Sequence, residues 1–369
     1  MGRIRAAVNI DRVTMADTFS RDIELKGYAA ISAIDVLIRA TNGATSNTAA
    51  PIHTDIDSIS VLDGSQVLFS LTGQEVKGLN CYELGKHAPA VLTQAAAGVQ
   101  EETFRVHFGR FLGDDEYYMV PSRYQNPILR VQGSMTISAT VGFATATTDM
   151  TAIVHTWDQA PAGRKGMLIT KEYKSFTSAA SGDDVTDLPR DFPFVRLMVR
   201  SLETSITFET DITRLKLSAN GQGIVYFDHR TEWVRDQAIM KLGPIDIDQR
   251  LLSADAEAEQ TYLAWPRWAH ITPLADLDVG GVEAITADQA TVGLYLLSAT
   301  PTIAKDATAR ALALKASGYG PFNTLWLPIC DPMDPSEWLD PAGLQQLQLT
   351  LTQGGAGATT QVFGQQAVA

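Results

Sequence analysis

Two stretches of the chain, about half its length apart, share one alternating pattern of aliphatic and polar residues. TDIDSISVLDGSQVLFSL runs from Thr54 to Leu71, and TDITRLKLSANGQGIVYF runs from Thr210 to Phe227. Alternation with a period of two is typical of half-buried strands. Asp-Gly and Asn-Gly between two such runs favour a type I′ turn, in which both central residues have positive φ. The pattern therefore predicts the same β-hairpin twice.

Further alternating segments surround each hairpin and predict more strands. In the first half they are AIDVLIRA (33–40), TFRVHFGRF (103–111), NPILRVQGSMTISATVGFATATT (126–148) and AIVHTW (152–157). In the second half they are FPFVRLMVRS (192–201), TVGLYLLSA (291–299), FNTLWLPI (322–329), LQQLQLTLTQ (344–353) and TTQVFGQQAV (359–368). These segments recur in the same order, which favours a duplicated unit over a chance repeat of one hairpin.

Three segments instead predict helices. Cys81–Gln100 is rich in alanine and has a glycine near its end. Thr231–Gly243 has Thr231 as a candidate N-cap and Gly243 just past its end. Asp306–Gly318 is capped by its first residue, Asp306, and stopped by its last, Gly318. So few helices, so far apart, do not fit a parallel α/β sheet.

The two halves differ by one large insertion. The offset between equivalent residues is 157 positions at Gly64 and Gly221, and it grows to 214 positions at Pro127 and Pro341. The difference, 214 minus 157, is about 57 residues, and we expect them within the segment 230–321.

The ordered repeat predicts an all-β protein built of two tandem eight-stranded jelly rolls, that is, β-sandwiches with short helices in the loops between strands. The chain of 369 residues is long for a single domain. DQAPAGRKG (158–166) is the best linker, because it combines proline and glycine with a pair of basic residues. We therefore expect an N-terminal domain over 1–160 and a C-terminal domain over 161–369.

Composition narrows the possible partners. The formal net charge of −13 and the isoelectric point near 4.9 argue against bulk attraction to nucleic acid. Residues 1–20 are the exception, since Arg3, Arg5 and Arg12 give this N-terminal arm a basic character. The arm could contact phosphates or lipid headgroups, or it could be a solvated terminus. Charged residues make up only 19% of the chain, which favours a surface partly buried against partners.

Two cysteines, Cys81 and Cys330, lie too far apart in sequence to define a disulfide framework or a metal motif, so we expect buried thiols. The first ten residues lack the apolar core of a signal peptide. No apolar run reaches the ~20 residues that a membrane span needs. We expect a soluble protein that is made in the cytoplasm.

Catalytic motifs are missing from the sequence. It contains no H-E-x-x-H, no G-x-S-x-G, no Walker loop, and no G-x-G-x-x-G after a strand. The acidic loop Cys330–Pro341 could offer carboxylate oxygens to a hard cation, with Asp331 and Asp334 as candidate ligands. It lacks the glycine-hinged spacing of a calcium loop, however, so we predict no metal, no cofactor and no enzyme activity.

Aromatic residues cluster in YLAWPRWAH (262–270), inside the predicted insertion. This segment holds Tyr262, Trp265, Arg267 and Trp268. Such residues can form a platform for a sugar, or they can lie in a contact between subunits, where Trp, Tyr and Arg are enriched. Their place in the insertion favours the subunit contact.

Taken together, these features resemble a known family. Duplicated hairpins led by Asp-Ile, helix-bearing loops, and the stretch VHFGRFLGDDEYYMVPSRYQNPILRV (106–131) are similar to the major capsid proteins of tailless icosahedral viruses. This is the double-jelly-roll lineage that includes the adenovirus hexon, and the stretch is most similar to its bacteriophage members.

The resemblance implies a homotrimer whose six jelly rolls give a near-hexagonal outline that tiles the shell of a virion. It implies that the insertion forms an outward tower with the aromatic cluster at a trimer contact. It also implies that the arm with Arg3, Arg5 and Arg12 faces an internal membrane or the genome. Neighbouring capsomers and minor capsid or vertex proteins would be the partners. The alternatives are a carbohydrate-binding viral spike or lectin-like β-sandwich, and an enzyme on a similar scaffold.

Overall fold

In the computed structural model of the protein, the backbone is described for residues 3–47, 49–93, 95–202, 207–253, 259–260, 263–273, 282–287, 291–297, 303–304 and 310–369. Side chains are described for these residues except 248–253, 259–260, 266–273, 282–287, 291–297, 303–304 and 310–314.

The first half of the chain contains ten strands. They are β1 (Ile4–Thr14), β2 (Thr18–Glu24), β3 (Ala30–Asn47), β4 (Ser58–Asp63), β5 (Gln66–Leu71), β6 (Ala90–Val91), β7 (Val99–His107), β8 (Pro127–Ser134), β9 (Val141–Phe143) and β10 (Asp149–Trp157). The helices of this half are α1 (Ile52–Asp55) and α2 (Gly73–Leu84), with one 3-10 turn at Pro121–Arg123.

The second half contains fifteen strands among the described residues. They are β11 (Met167–Thr177), β12 (Gly182–Asp187), β13 (Phe194–Leu202), β14 (Ile212–Ala219), β15 (Ile224–Arg230), β16 (Ile245–Ser253), β17 (Glu259–Gln260), β18 (Leu263–Pro273), β19 (Val282–Ala287), β20 (Thr291–Leu297), β21 (Ile303–Ala304), β22 (Arg310–Pro321), β23 (Thr324–Leu327), β24 (Leu347–Gln353) and β25 (Thr359–Val368). The helices here are α3 (Phe208–Asp211) and α4 (Thr231–Leu242).

The first half folds into two facing four-stranded arrays, in the orders β1-β10-β3-β7 and β2-β8-β4-β5. The short strands β6 and β9 add to the first array. Alternation along each strand explains the sandwich, because residues with a period of two share one face. In β3, for example, Val36 and Ile38 are fully buried, while Asp35, Leu37 and Arg39 on the opposite face are only partly buried.

The second half repeats this arrangement strand for strand, in the orders β11-β25-β13-β23 and β12-β24-β14-β15. Each strand of the two four-stranded arrays in the first half therefore has an equivalent, for example β1 and β11, β3 and β13, β5 and β15, β7 and β23, and β10 and β25. The two arrays of four strands in each half make an eight-stranded jelly roll. The prediction of two tandem jelly rolls is confirmed.

A parallel strand pair joins the two rolls. Strand β5 of the first roll lies beside β11 of the second, with Phe69 opposite Thr170 and Ser70 opposite Lys171. One eight-stranded sheet, β2-β8-β4-β5-β11-β25-β13-β23, therefore crosses both rolls. One apolar core also runs through both, and it includes Phe69 of the first roll and Met198 of the second.

Both predicted hairpins form, but their turns differ from the type I′ prediction. In the first, Asp63 is still paired with Gln66, so the loop is Gly64-Ser65 and only Gly64 has positive φ, at 60°. The second loop has four residues, 220–223, and Asn220, Gly221 and Gln222 all have positive φ. Glycine and asparagine tolerate this left-handed region, which explains their place in the turns.

The helix predicted over Cys81–Gln100 is wrong in position. Helix α2 begins after Thr72 and ends at Gly85, whose φ is 65°. A capping box fixes its start, since the Thr72 hydroxyl accepts from the amide of Glu75 and the Glu75 carboxylate accepts from the amide of Thr72. The alanine-rich remainder contains β6 and an irregular segment instead.

Helix α4 confirms the helix predicted at Thr231–Gly243. Its N-cap is Arg230, however, and not Thr231. Thr231 lies inside the helix and its hydroxyl donates to the carbonyl of Ile212. Gly243 follows the last turn with a φ of 71°.

Seven strands, β16 to β22, lie between α4 and β23, where the first roll has only β6. They pair in the orders β16-β22-β18 and β17-β20-β19, with β21 beside β20. The helix predicted over Asp306–Gly318 is wrong, because Arg310–Pro321 is strand β22. Its sequence alternates leucine with alanine at Leu312 and Leu314, a period of two that fits a strand paired on both sides.

The basic N-terminal segment is not a free arm. Ile4–Thr14 forms strand β1, which pairs antiparallel with β10, and Thr18–Glu24 forms β2, which pairs with β8. No helix in the described part of the chain is both long and apolar enough to cross a lipid bilayer.

Candidate assembly surfaces

Helix α2 belongs to the first roll but packs against the second. Tyr82 donates its hydroxyl proton to the carbonyl of Thr324 at 2.8 Å. The Glu83 carboxylate accepts from the Gln365 side chain at 2.9 Å, and the Gln74 side chain accepts from the guanidinium of Arg200. One face of α2 therefore lies on the outer face of the sheet β11-β25-β13-β23.

That outer face carries a buried layer of polar side chains. Arg200 donates to Gln361 at 2.7 Å and to the carbonyl of Phe322 at 3.2 Å. Arg196 donates to Gln365 at 2.5 Å, and Gln361 donates to Glu172 at 2.8 Å. Burial lowers the pKa of Arg200 to about 10, although the nearby Glu75 and Glu172 act in the opposite direction. Buried polar groups with matched partners specify one geometry, so this layer sets how the two rolls sit together.

A second buried group of charges lies at the other face of α2. Glu102 in β7 is within 2.9 Å of Nδ1 of His53 and 3.3 Å of Nζ of Lys77. Burial opposes ionisation of Glu102, but the charges of His53 and Lys77 outweigh it and lower its pKa to about 2. Lys77 also lies over the rings of Phe104 and Phe322, which belong to different rolls. This ion cluster ties α2 to its own roll.

Helix α4 is the equivalent of α2 in the second roll, but most of one face is exposed. Trp233 is 43% exposed, Met240 is 69% exposed and Leu242 is 40% exposed. Val234 and Ala238 are buried against the second roll. Trp233 and Met240, seven residues apart, share the exposed face, and large apolar side chains on such an uncovered face are typical of an interaction surface.

Two edge strands also expose apolar side chains. In β15, Ile224, Val225 and Tyr226 are 42%, 48% and 41% exposed. In β1, Val8 is 59% exposed and Ile4 is 37% exposed. A bare edge strand is a site for pairing with another chain. Their equivalents β5 and β11 are the two strands that pair with each other inside the chain.

The outer face of the sheet β1-β10-β3-β7 is partly charged. Arg105 donates two hydrogen bonds to Asp35, at 2.6 and 2.7 Å, and Nε2 of His155 lies 2.8 Å from Asp35. Burial raises the pKa of Asp35, but the hydrogen bonds and charges of Arg105 and His155 prevail and lower it to about 2. Further along the face, Arg39 pairs with Glu101 at 3.1 Å.

The three basic residues of the N-terminal segment are distributed along β1. Arg3 is exposed, and its carbonyl accepts from the amide of Asp158. Arg5 forms an exposed ion pair with Asp158 at 3.0 Å. Arg12 is exposed, and its amide donates to the hydroxyl of Thr151. The structure does not gather these side chains into one cluster.

Of the aromatic cluster, the side chain of Trp265 is described and packs against its own chain. Its ring lies 5.4 Å from that of Phe208, and the Arg235 guanidinium lies 5.5 Å from its centroid. A Cβ on Gly320 would lie 2.6 Å from the Trp265 ring, so glycine permits this contact. Tyr262 and the side chains of Arg267 and Trp268 lie outside the described residues.

The carboxylates of the acidic loop accept hydrogen bonds from groups within the same loop. Asp331 accepts from the amide of Met333 at 2.8 Å. Asp334 accepts from the amide and hydroxyl of Ser336, and these hydrogen bonds lower the pKa of Asp334. Within the described part of the chain, no three His, Cys, Asp or Glu side chains form a group that could hold a metal ion. Asp331 and Asp334 are therefore turn residues in this structure.

Comparison with known proteins shows which solved structures have a similar fold. No protein-family model matches the chain, and no curated protein matches it in sequence. Solved structures do match over nearly the full length of the chain. The major capsid protein of Sulfolobus turreted icosahedral virus has a TM-score of 0.58 at 11% identity, covering 99% of this chain and 96% of its own. The major capsid protein P2 from bacteriophage PM2 has a TM-score of 0.54 at 10% identity, covering 100% and 98%.

The protein therefore has the double-jelly-roll fold of major capsid proteins from icosahedral viruses. At these identities the likeness concerns the fold. Sequence patterns had located both hairpins and most strands, but not the polar layer at α2 or the exposed face of α4. The capping box at Thr72 and Glu75 was the available signal for α2.

Proposed function

We propose that this chain is a major capsid protein that assembles as a homotrimer and tiles the shell of an icosahedral virion. The observation that carries the proposal is the joined pair of rolls, with the same strand order in each and one sheet running through both. Two major capsid proteins are similar to this fold along nearly the whole chain. Three chains of two rolls each would give the near-hexagonal outline that suits a flat shell.

In this proposal, residues 1–160 form one upright roll and residues 161–369 form the other. The insertion at about 230–321 forms a tower on the outer side of the shell, where Tyr262, Arg267 and Trp268 contact a neighbouring subunit. The N-terminal segment with Arg3, Arg5 and Arg12 faces the interior, where exposed guanidinium groups suit phosphate on lipid or nucleic acid. Neighbouring capsomers and minor capsid proteins are the further partners.

The role is structural, with no catalysis. The charged groups that are most perturbed, such as Glu102 and Arg200, are buried within the chain and paired there, which fits a contribution to rigidity. The host is a bacterium, in keeping with the stretch 106–131. The protein is made in the host cytoplasm and ends in the virion.

Carbohydrate binding by a spike or lectin-like protein is the competing function. A sugar platform needs an aromatic face open to solvent. The ring of Trp265 instead packs against Phe208 and Arg235 of the same chain. The described part of the aromatic cluster therefore favours the capsid role.

Size-exclusion chromatography with light scattering tests the proposal. The capsid role predicts a mass three times the 39.9 kDa of the chain, or larger shells. A monomer that persists at high protein concentration would contradict it. A glycan array with the same protein tests the alternative, and binding that is lost on Trp268→Ala would support that alternative.

A further inference from the structure

The duplication gives two versions of the elements that join the rolls, a helix and an edge strand. The versions in the first roll are buried at the junction, and those in the second roll are exposed. Inside the chain, α2 and β5 of the first roll contact the sheet β11-β25-β13-β23 of the second. Their equivalents, α4 and β15, carry exposed apolar residues. The sheet equivalent to the one that α2 covers is β1-β10-β3-β7, and it too has an uncovered outer face and an exposed edge.

We propose that α4 and β15 of one copy dock on the sheet β1-β10-β3-β7 of a second copy, and so repeat between chains the junction that joins the two rolls within a chain. The inference rests on the proposed homotrimer and specifies which surfaces form it. The occupant is a second copy of this chain, because the junction inside the chain already shows the same elements in contact.

The first contact is a strand pair. Within the chain, Phe69 of β5 lies opposite Thr170 of β11. In the first hairpin Val61 pairs with Phe69, and in the second Leu217 pairs with Phe227, so Phe227 of β15 is the equivalent of Phe69. Thr170 opposes Gln365 in the second roll as Val8 opposes Ile153 in the first. Phe227 of one copy would therefore lie beside Val8 of the next.

Burial supports this pairing. Phe69 is 1% exposed and Thr170 is fully buried, as expected for a completed junction. In the single chain Val8 is 59% exposed and Phe227 is only partly buried. Bringing these two apolar side chains together would remove the exposed edge of both sheets, as β5 and β11 already do.

The second contact is the helix. Helices α2 and α4 both have 12 residues and both end at a glycine with positive φ. The α2 residues that contact the second roll are Gln74, Gly78, Tyr82 and Glu83. At the same places in α4 stand Glu232, Asp236, Met240 and Lys241, and all four are exposed. The α2 residue Val76, which packs on its own roll, corresponds to the fully buried Val234.

Two of the charge pairs across the proposed contact have opposite signs, and one pair, Asp236 with Glu101, has the same sign. Arg39 in β3 lies between Glu101 in β7 and Asp149 in β10, just as Arg200 in β13 lies between Thr324 in β23 and Gln361 in β25. Arg39 is therefore the equivalent of Arg200.

The α2 partner of Arg200 is Gln74, and its equivalent in α4 is the acidic Glu232, which suits Arg39. Four positions before Arg39, Asp35 is likewise the equivalent of Arg196. Burial lowers the pKa of Arg196, and the nearby Glu83 carboxylate opposes that shift. In the proposed contact, Lys241 stands opposite Asp35, so both charge pairs are attractive.

A cysteine pair tests the strand contact. In the full-length double variant Val8→Cys with Phe227→Cys, mild oxidation should link copies covalently into dimers and trimers on a non-reducing gel. Adjacent strands bring Cα atoms within the distance that a disulfide needs. The native thiols Cys81 and Cys330 are buried and do not compete. The matched control is Val8→Cys with Val185→Cys, because Val185 is 45% exposed on β12, away from the proposed surface.

Charge reversal tests the helix contact. Arg39→Glu alone and Glu232→Arg alone should each shift the protein from trimer to monomer in light scattering, and the double variant should restore the trimer. Circular dichroism checks that each variant stays folded. A trimer that neither links through residues 8 and 227 nor responds to charge reversal overturns the surface but leaves the capsid role standing. A wild-type protein that stays monomeric overturns both.

Discussion

Gly78 in α2 and Thr324 in β23 lie so close that a Cβ on Gly78 would stand 3.0 Å from the Cβ of Thr324, and closer still to its Oγ1. Gly78 belongs to the first roll and Thr324 to the second. This close approach is what allows Tyr82, one turn later, to reach the carbonyl of Thr324. The angle between the rolls thus depends on one helix position without a side chain.

Gly78→Ala should therefore destabilise the protein, by about 1–3 kcal/mol, because the added methyl group overpacks the junction. At an open helix position the same change would stabilise the protein by up to about 1 kcal/mol, so the sign of the effect is diagnostic. Urea unfolding provides the free energy. In a Thr324→Ala background the cost should shrink, and equal costs in both backgrounds would show that the two residues do not interact.

Glu102 should make the protein sensitive to acid. The pKa of Glu102 is lowered to about 2 in the folded protein, against 4.5 for an ordinary glutamate. The unfolded chain therefore takes up the proton first, so the stabilising effect is complete above about pH 4.5 and is lost as the pH falls towards 2.

Unfolding between pH 7 and pH 2 measures this loss for the wild type and for Glu102→Gln. The variant should be less stable at pH 7 by about 3–5 kcal/mol, because it leaves Lys77 buried without its partner. Its stability should fall less steeply in acid. Glu24→Gln, at an exposed position in β2, is the control, and parallel curves for Glu102→Gln and the wild type would refute the assignment.

Glu75 should have the opposite dependence on pH. Burial, helped by the charge of Glu172, raises its pKa to about 8. The folded protein therefore holds a proton that the unfolded chain releases above about pH 4.5, so stability falls as the pH rises towards 8. Glu75→Gln removes the titration and should reduce the loss of stability between pH 5.5 and pH 8. Glu75→Ala, which also removes the cap of α2, should cost about 1 kcal/mol at both pH values. A wild-type slope retained in Glu75→Gln would count against this account.

Trp265 and Trp233 should respond differently to truncation. Trp265→Ala removes contacts with Phe208 and Arg235 within the chain, and we expect it to lower the free energy of unfolding by about 2 kcal/mol. Trp233 is 43% exposed on α4, so Trp233→Ala should leave the monomer nearly as stable but weaken the trimer. Thermal unfolding and light scattering on the same samples separate the two effects. A stable Trp265→Ala variant beside a destabilised Trp233→Ala variant would contradict the packing described for Trp265.

Strand patterns were readable from the sequence where a sheet has one buried and one more open face. Val36 and Ile38 alternate with Asp35 and Leu37, and this local signal is sufficient to place β3. The same rule would have placed β22, where leucines alternate with alanines. The high helix propensity of alanine instead led to the incorrect prediction of a helix. Partners on both sides of β22 outweigh that propensity.

The candidate surfaces depend on contacts that no local pattern encodes. Arg196 and Arg200 look like surface residues in sequence, yet both are buried by a helix from the other roll. The basic segment at Arg5 and Arg12 looked like a free arm, but pairing with β10 makes it an edge strand. Knowing either fact requires the position of elements more than a hundred residues away.

Electron microscopy of the purified protein tests the central claim most directly. Class averages should show a plate of near-hexagonal outline with threefold symmetry and six lobes, one for each jelly roll, in which every chain supplies two neighbouring lobes. Particles with only two lobes, at concentrations where assembly is expected, would contradict the proposal that this chain builds a viral shell.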